Sequence, residues 1–367
     1  MNTPLRIVVD QNMPGIERLF GGIAEIIKAD GRCISAETLK NADALLCRSI
    51  TKVNSELLQN SKVKFVGTAT IGTDHLDTDW LESNSIHWSN AAGCNAAAVA
   101  QYVLSAMAFW AKSTRRLFDG LTIGIVGAGN VGTELARCLK FLGINYRLCD
   151  PPLKNSGDQR DFVDLEQILK CDVITLHVPI NNNGRNPTRH LFSKTVLSRL
   201  TNSQLLINAS RGAVIDNLAL SDYLEQSKSA SVILDVFENE PSVPQKLLNQ
   251  CLLATPHIAG HTLEGKLRGS WMIYRAFCGV FELQEKCTEE DLYPEKNEIF
   301  LVDKDITTQL LSLYDIQQES VAFRTKNTQS IAKRFDRLRQ NATQMSNGRI
   351  RRDYSGWQFK GDIRLPL

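Results

Sequence analysis

Two doubly wound α/β domains are predicted by three features of this 367-residue chain. Residues 5 to 90 alternate short apolar strands with polar helical stretches, the same alternation returns more strongly from Leu121 to Ala254, and a long apolar helical run from Asn95 to Lys112 stands between them. Alternation of β and α segments implies largely parallel sheets covered by helices. A helix that is apolar on most faces belongs between layers, where one domain hands over to the next. The chain is also too long for one compact core.

In the first block the strands are Arg6 to Val9, Ala44 to Cys47, Lys64 to Gly67 and Ile86 to Trp88. In the second they are Thr122 to Val126, Tyr146 to Cys149, Val173 to His177, Gln204 to Asn208, Val232 to Val236 and Leu252 to Ala254. Six such strands make a full dinucleotide-binding sheet. Thr262 to Phe281 is predicted as a single helix. Beyond Glu282 the alternation fades: Asp305 to Leu313 and Ser330 to Arg339 are predicted helices, and the last stretch is irregular or strand-like. This is the pattern of a small α+β C-terminal domain of roughly 85 residues, a size that suits a dimerisation unit.

Composition narrows the class. The chain is 43% hydrophobic and 22% charged, with a net charge of +2, as expected of an ordinary globular protein. No apolar run approaches the roughly 20 residues that span a bilayer, and Met1 to Asp10 runs into a strand without a signal core, so a cytoplasmic protein with no membrane partner is expected. Nine cysteines, scattered singly with no Cys-x-x-Cys, suit thiols in a reducing compartment, and no metal is expected. Cys171, before an apolar strand, is a small core residue. Acidic residues dominate from Glu282 to Glu319 and basic ones from Arg324 to Arg364, including Lys333, Arg334, Arg337, Arg339, Arg349, Arg351 and Arg352. With no motif around them and near-neutral net charge, they suit a solvated face and a subunit contact better than nucleic acid.

The most specific local signal is Gly127-Ala128-Gly129-Asn130-Val131-Gly132, with a strand before it and helical spacing after it. Gly127 permits the tight turn, Gly129 lets the backbone approach a pyrophosphate, and Gly132 allows helix and strand to pack closely, while Asn130 and Val131 open a helix whose free N–H groups face an anion. Asp150 ends the next strand, where a carboxylate accepts from ribose hydroxyls and repels a ribose phosphate, favouring NAD over NADP. As a plain turn residue before Pro151-Pro152, it would leave the preceding motif unexplained.

The reacting centre is expected at later strand ends. Arg211, after the strand ending at Asn208, can grip a carboxylate through two parallel hydrogen bonds. His257, after Leu252 to Ala254, can take or return a hydroxyl proton. Glu240, after the strand ending at Val236, would orient that imidazole and favour its charged form, although Glu238 competes for the carboxylate role. Asp235 stands where it could reach a nicotinamide or merely cap a loop. Together Arg211, Glu240 and His257 make an anion clamp beside an acid/base pair, the requirement for hydride transfer at a hydroxyl next to a carboxylate.

These phrases, with Val9-Asp10-Gln11-Asn12-Met13-Pro14, Arg48-Ser49, Gly67 to His75, Cys149-Asp150-Pro151-Pro152 and Pro256 to Lys266, resemble the D-isomer-specific 2-hydroxyacid dehydrogenases over roughly residues 1 to 281. The resemblance implies two Rossmann-like doubly wound parallel-sheet domains with a cleft between them, NAD, and a homodimer. It divides the chain into a substrate-binding domain of residues 1–94 completed by 258–281, an NAD-binding domain of residues 95–257, and a dimerisation domain of residues 282–367. Within the family the closer likeness is to the branch that oxidises 4-phosphoerythronate in pyridoxal 5′-phosphate biosynthesis; phosphoglycerate and glyoxylate/hydroxypyruvate dehydrogenases, and an NAD-sensing corepressor on the same fold, are the alternatives. It also implies substrate contacts at Ser49, Thr70 and residue 261, and NAD contacts at Asp150, Val178, Ser210, Arg211, Gly212, Asp235 and Gly260. Residue 261 is His here where that branch has Tyr, and each can donate one hydrogen bond. Val178 stands in place of a hydroxyl-bearing residue, leaving a backbone contact. For the phosphate, Arg48 is the first candidate, with Arg349, Arg351 and Arg352 reaching from a partner subunit as a second source.

Overall fold

The computed structural model describes residues 4–118, 120–226, 230–301, 305–325, 330–345 and 348–361. By its internal contacts the chain divides into two compact units: Met1–Asn95 with Leu263–Lys296, and Ala96–Thr262 with Asn297–Leu367.

In the first unit, β1 (Leu5–Asp10), β2 (Ala24–Ala29), β3 (Ala44–Cys47), β4 (Phe65–Thr68) and β5 (His87–Asn90) form an all-parallel sheet in the order β2-β1-β3-β4-β5. β3 and β4 are buried along their whole length, as interior strands of a parallel sheet covered on both faces are. The helix Leu263–Val280 packs against β4 and β5 and completes this unit from far along the chain. Its Phe277 meets Phe20 and Phe65 edge to face, with ring centroids 5.2 and 6.0 Å apart. Strand β2 is absent from the sequence expectation. It is an edge strand of mixed polarity, Ala-Glu-Ile-Ile-Lys-Ala, paired only with β1, so neither a continuous apolar run nor strict alternation marks it.

In the second unit, β6 (Thr122–Val126), β7 (Asn145–Cys149), β8 (Val173–Leu176), β9 (Leu205–Asn208), β10 (Ser231–Leu234) and β11 (Leu253–Ala254) form a parallel sheet in the order β11-β10-β9-β8-β6-β7. All six expected strands are present. In both sheets the order reverses beside the first strand, and doubly wound sheets bind ligands at that point, outside the carboxyl ends of their strands.

The residues expected to form a third domain divide instead. Residues 282–296 belong to the first unit and 297–367 to the second. Within the second unit, helices Ile306–Leu313 and Ile316–Arg324 pack on the helix Ala96–Thr114, covering apolar surface that the sheet alone would leave bare. A parallel pair, β12 (Asn297–Leu301) with β13 (Trp357–Gly361), closes the segment. Several of the basic residues expected on a solvated face are interior: Arg334, Arg351 and Arg352 are all buried, and Arg334 Nε donates to the Phe323 carbonyl at 2.6 Å. Arg364 lies outside the described residues. Among the described residues no helix is long and apolar enough to cross a membrane, and no group of His, Cys, Asp and Glu is arranged to hold a metal ion. All nine cysteines are free thiols, and Cys171 is a buried core residue.

Candidate active site

The glycine turn sits at the order reversal of the second sheet, between the ends of β6 and β8. Gly127 has φ +93°, and a Cβ there would lie 2.7 Å from the His177 carbonyl; a Cβ on Gly132 would lie 2.1 Å from the Gly127 carbonyl oxygen. Both positions therefore demand glycine, whereas nothing lies within 4 Å of a Cβ built on Gly129. That open side is where a pyrophosphate can approach the backbone, and the helix starting at Asn130 presents the unsatisfied N–H groups of Asn130 and Val131. The residues present thus fit a dinucleotide. Val178 packs over the turn, its Cγ1 within 2.9 Å of a Cβ placed on Gly127. Asp150 both caps and braces: Oδ2 accepts from Ala128 N–H at 2.8 Å and Oδ1 from Leu153 N–H at 3.1 Å. The two readings of Asp150 as turn residue and as ribose acceptor are compatible, because each carboxylate oxygen keeps a further lone pair.

β9, β10 and β11 are adjacent and parallel, so the loops leaving their carboxyl ends share one edge. Arg211 stands in the first, where its Nη1 donates to the Ser210 carbonyl at 2.9 Å and Ser210 Oγ donates to Asn208 Oδ1 at 2.9 Å. A Cβ on Gly212 would lie 1.9 Å from the Phe237 carbonyl carbon, so glycine is what lets the β9 and β10 loops touch. The third loop carries His257 at φ +56°, a left-handed conformation that costs energy in a residue with a side chain and persists only where its surroundings hold it. His257 Nδ1 lies 2.8 Å from Glu240 Oε2, and Phe237 N–H donates to Glu240 Oε1 at 2.8 Å. Burial pushes the Glu240 carboxyl up, but the hydrogen bond and charge of His257, with the Phe237 N–H, outweigh it and hold the group below its ordinary value. An ionised carboxylate only accepts, so the proton sits on Nδ1 and Nε2 is the nitrogen available to exchange one.

Glu238, the competing carboxylate, is engaged elsewhere: Oε1 lies 2.8 Å from His190 Nε2, and Oε2 accepts from Asn217 N–H at 3.0 Å. Asn239, with φ +59°, turns the chain between the two acids and sends them to different partners. His190 was not among the expected residues.

Of the two readings of Asp235, reaching a nicotinamide or capping a loop, its carboxylate makes the contacts of the second. It is buried, and its carboxylate serves the His257 loop. Oδ1 accepts from Thr255 Oγ1 at 2.7 Å and Ile258 N–H at 2.8 Å, and Oδ2 from Ala259 N–H at 2.9 Å. Burial raises its pKa, and the nearby His257 and these three donors oppose that rise. On the carbonyl side of the same loop, Arg351 Nη1 donates to Ile258 O and Nη2 to Ala259 O at 2.9 Å. Gly260 and His261 follow in the same turn, which His261 N–H closes onto Ile258 O at 2.9 Å.

In the first unit Asp10 ends β1 and Arg48 follows β3, the two strands that flank the order reversal of that sheet. Arg48 donates from Nε to Asp10 Oδ2 at 3.0 Å and from Nη2 to Oδ1 at 3.3 Å. This consumes one edge of the guanidinium and leaves the Nη1/Nη2 edge for a ligand. Ser49 is exposed beside it. Thr70 is half-buried in a hydroxyl chain: His75 Nε2 lies 2.9 Å from Thr68 Oγ1, Thr68 Oγ1 lies 2.8 Å from Thr70 Oγ1, and Thr70 donates to Gly72 O at 3.1 Å. Each hydroxyl has one proton, so donation runs from His75 through Thr68 and Thr70 to Gly72, and Thr70 offers a ligand only lone pairs. Burial lowers the His75 pKa.

Lys266 was also not among the expected site residues. It is half-buried in the first turn of Leu263–Val280, and no carboxylate among the described residues pairs with it. Burial, with the neighbouring Arg48 cation, pushes its pKa down to about 8. Lys266 thus adds its charge beside the Arg48–Asp10 ion pair, which leaves the three groups with one net positive charge when the amine is protonated.

Residues 97–259 match the family model for the D-isomer specific 2-hydroxyacid dehydrogenase, NAD binding domain. The chain is 43% identical over 365 residues to the erythronate-4-phosphate dehydrogenase of Proteus mirabilis, covering 98% of this chain and 95% of that protein. It is 42% identical over 349 residues to the enzyme of the same name from Marinobacter nauticus, covering 91% of each. In fold it is similar to the NAD+-bound 3-phosphoglycerate dehydrogenase of Entamoeba histolytica, with a TM-score of 0.63 and 23% identity over 76% of this chain and 96% of that one.

Proposed function

Since this chain belongs to the D-isomer-specific 2-hydroxyacid dehydrogenases, in the branch of the erythronate-4-phosphate dehydrogenases, we propose that it oxidises 4-phosphoerythronate at C2 to 2-oxo-3-hydroxy-4-phosphobutanoate, a step in pyridoxal 5′-phosphate biosynthesis. The observation that carries the reading is the 2.8 Å contact between His257 Nδ1 and Glu240 Oε2, at the sheet edge that also bears Arg211. When bound, NAD supplies the hydride acceptor.

The residues divide the remaining work. Gly127, Gly129, Asn130, Val131 and Gly132 cradle the pyrophosphate and Asp150 takes the adenosine ribose; Val178, Ser210, Gly212, Asp235 and Gly260 border the rest of the dinucleotide. Arg211 grips the substrate carboxylate and so orients C2. As the C2–H bond breaks with its electron pair, the C2 hydroxyl proton passes to His257 Nε2, and the C–O bond becomes a carbonyl. Glu240 holds the ring with Nδ1–H turned away from substrate and stabilises the imidazolium that forms, much as a carboxylate does behind other catalytic histidines. Ser49, Thr70 and His261 contact the substrate, with Thr70 accepting from a hydroxyl. Arg48 and Lys266 take the phosphate, whose dianion is the counter-charge that Lys266 otherwise lacks. Homodimerisation and a cytoplasmic location belong to the same reading.

Comparing kcat/KM for 4-phosphoerythronate and 3-phosphoglycerate with NAD tests the assignment. A preference for 4-phosphoerythronate is expected. A preference for 3-phosphoglycerate would move the chain to another branch of the family, and no turnover of either would favour an NAD-sensing role.

A further inference from the structure

The loop Thr255–Thr262 is held from two sides by buried opposite charges. The Asp235 carboxylate takes the N–H groups of Ile258 and Ala259, and the Arg351 guanidinium takes the carbonyls of the same two residues. Arg351 is 3% exposed and lies 4.0 Å above the Tyr314 ring, which fixes the plane of its fork. A second tie runs from Thr262 Oγ1 to the buried Asp353 Oδ2 at 3.5 Å. His257 precedes the clamped pair directly, and its own N–H is bound to the Asp235 carbonyl at 2.7 Å. A left-handed histidine cannot hold itself. The groups that hold this one come from the residue that follows β10 on one side and from the C-terminal segment on the other.

We propose that Arg351 is a positioning residue for His257, so that the C-terminal segment forms part of the catalytic apparatus of its own chain. This replaces the expectation that Arg351 reaches a partner's substrate, since both of its Nη atoms are engaged within its own unit. The proposal rests on His257 as the proton acceptor. Loss of the fork frees two carbonyls, the loop relaxes, and Nε2 drifts from the hydroxyl it must meet. Small errors of this kind reach about 10²-fold in rate.

The test uses the full-length enzyme. Arg351→Met fills the same volume without the donors, and Arg351→Lys can reach only one carbonyl. kcat should fall roughly 10- to 100-fold in Arg351→Met and by less in Arg351→Lys. The KM for 4-phosphoerythronate and the NAD dissociation constant should stay within about threefold. The primary isotope effect on kcat with C2-deuterated substrate should rise in both variants, because misplacement slows the chemical step. A merely structural role would lower kcat in proportion to the folded fraction, measured by thermal melting, and leave the isotope effect unchanged. That result, or parental kcat in both variants, overturns the proposal. If Arg351→Met does not fold, Arg351→Lys decides it by the same isotope effect. His257→Ala, run alongside, separates this from failure of the parent reading: an active His257→Ala enzyme removes the proton-acceptor role itself.

Discussion

Glu240 reaches His257 with one carboxylate oxygen while the other is fixed by the Phe237 N–H, so the acid is locked at both ends and only the imidazole faces outward. Glu240→Gln keeps the shape and removes the charge. Its amide can offer a lone pair to Nδ1–H but cannot stabilise the imidazolium, so kcat should fall by roughly 10² to 10⁴ with NAD affinity retained. Stopped-flow measurement of NADH formation checks this; a change of only a few fold would make the pair structural.

Arg211→Lys should be nearly as damaging as Arg211→Ala. The ammonium keeps the charge but presents no planar fork to the substrate carboxylate, so C2 is no longer oriented. Steady-state kinetics of both variants decide it, and near-parental kcat/KM for the lysine form would show that charge alone suffices.

Asp150→Asn should relax cofactor choice, because the carboxylate that repels a 2′-phosphate disappears while an amide oxygen can still accept from Ala128 or Leu153. The ratio of kcat/KM for NAD over NADP should drop. An unchanged ratio would mean that Asp150 acts only as brace and cap.

Lys266 gives the pH prediction. Its pKa, about 8 in the fold against an ordinary 10.5, means that the unfolded chain binds more protons between those values. The group's contribution to stability therefore improves as pH rises through that window, and below about pH 8 the charged amine is a full liability. Lys266→Met should then raise the melting temperature at pH 7, by roughly 2–4 °C per kcal/mol relieved, and by less at pH 9. The same variant should raise KM for 4-phosphoerythronate about tenfold or more through loss of a charge-assisted hydrogen bond. Calorimetric scans at both pH values with KM at pH 7 test the two halves, and an unchanged KM removes Lys266 from the phosphate site.

What could be read directly from the chain were features fixed by local pattern. Interior parallel strands are continuous apolar runs, and the glycine turn is dictated by backbone approach, so β8, β9 and Gly127 to Gly132 stand where the sequence puts them. The pairing of His257 with Glu240 follows from two strand ends meeting at one edge. The choice between Glu240 and Glu238 does not, because it turns on the left-handed Asn239 between them. Arg351 and Lys266 were illegible for a different reason. A basic residue in a polar stretch looks solvated, and only tertiary packing reveals that one is spent on backbone carbonyls and the other is half-buried beside Arg48. β2 was lost because an edge strand carries little of the hydrophobic signature by which strands are recognised.

The helix Leu263–Val280 that seals the first sheet has a consequence for biosynthesis. On the ribosome, β1 to β5 are made first, yet Phe277, which closes over Phe20 and Phe65, emerges only after Ala96–Thr262, the larger part of the second unit, has been translated. The nascent first unit must wait with its apolar face unsealed while the six-stranded sheet, which is continuous in sequence, can form, and the second unit waits in turn for its helices Ile306–Leu313 and Ile316–Arg324. Contacts that span so much chain form slowly and leave sticky surface open in the meantime. Each unit is thus closed by chain made after its own sheet, the first by Leu263–Lys296 and the second by Asn297–Leu367.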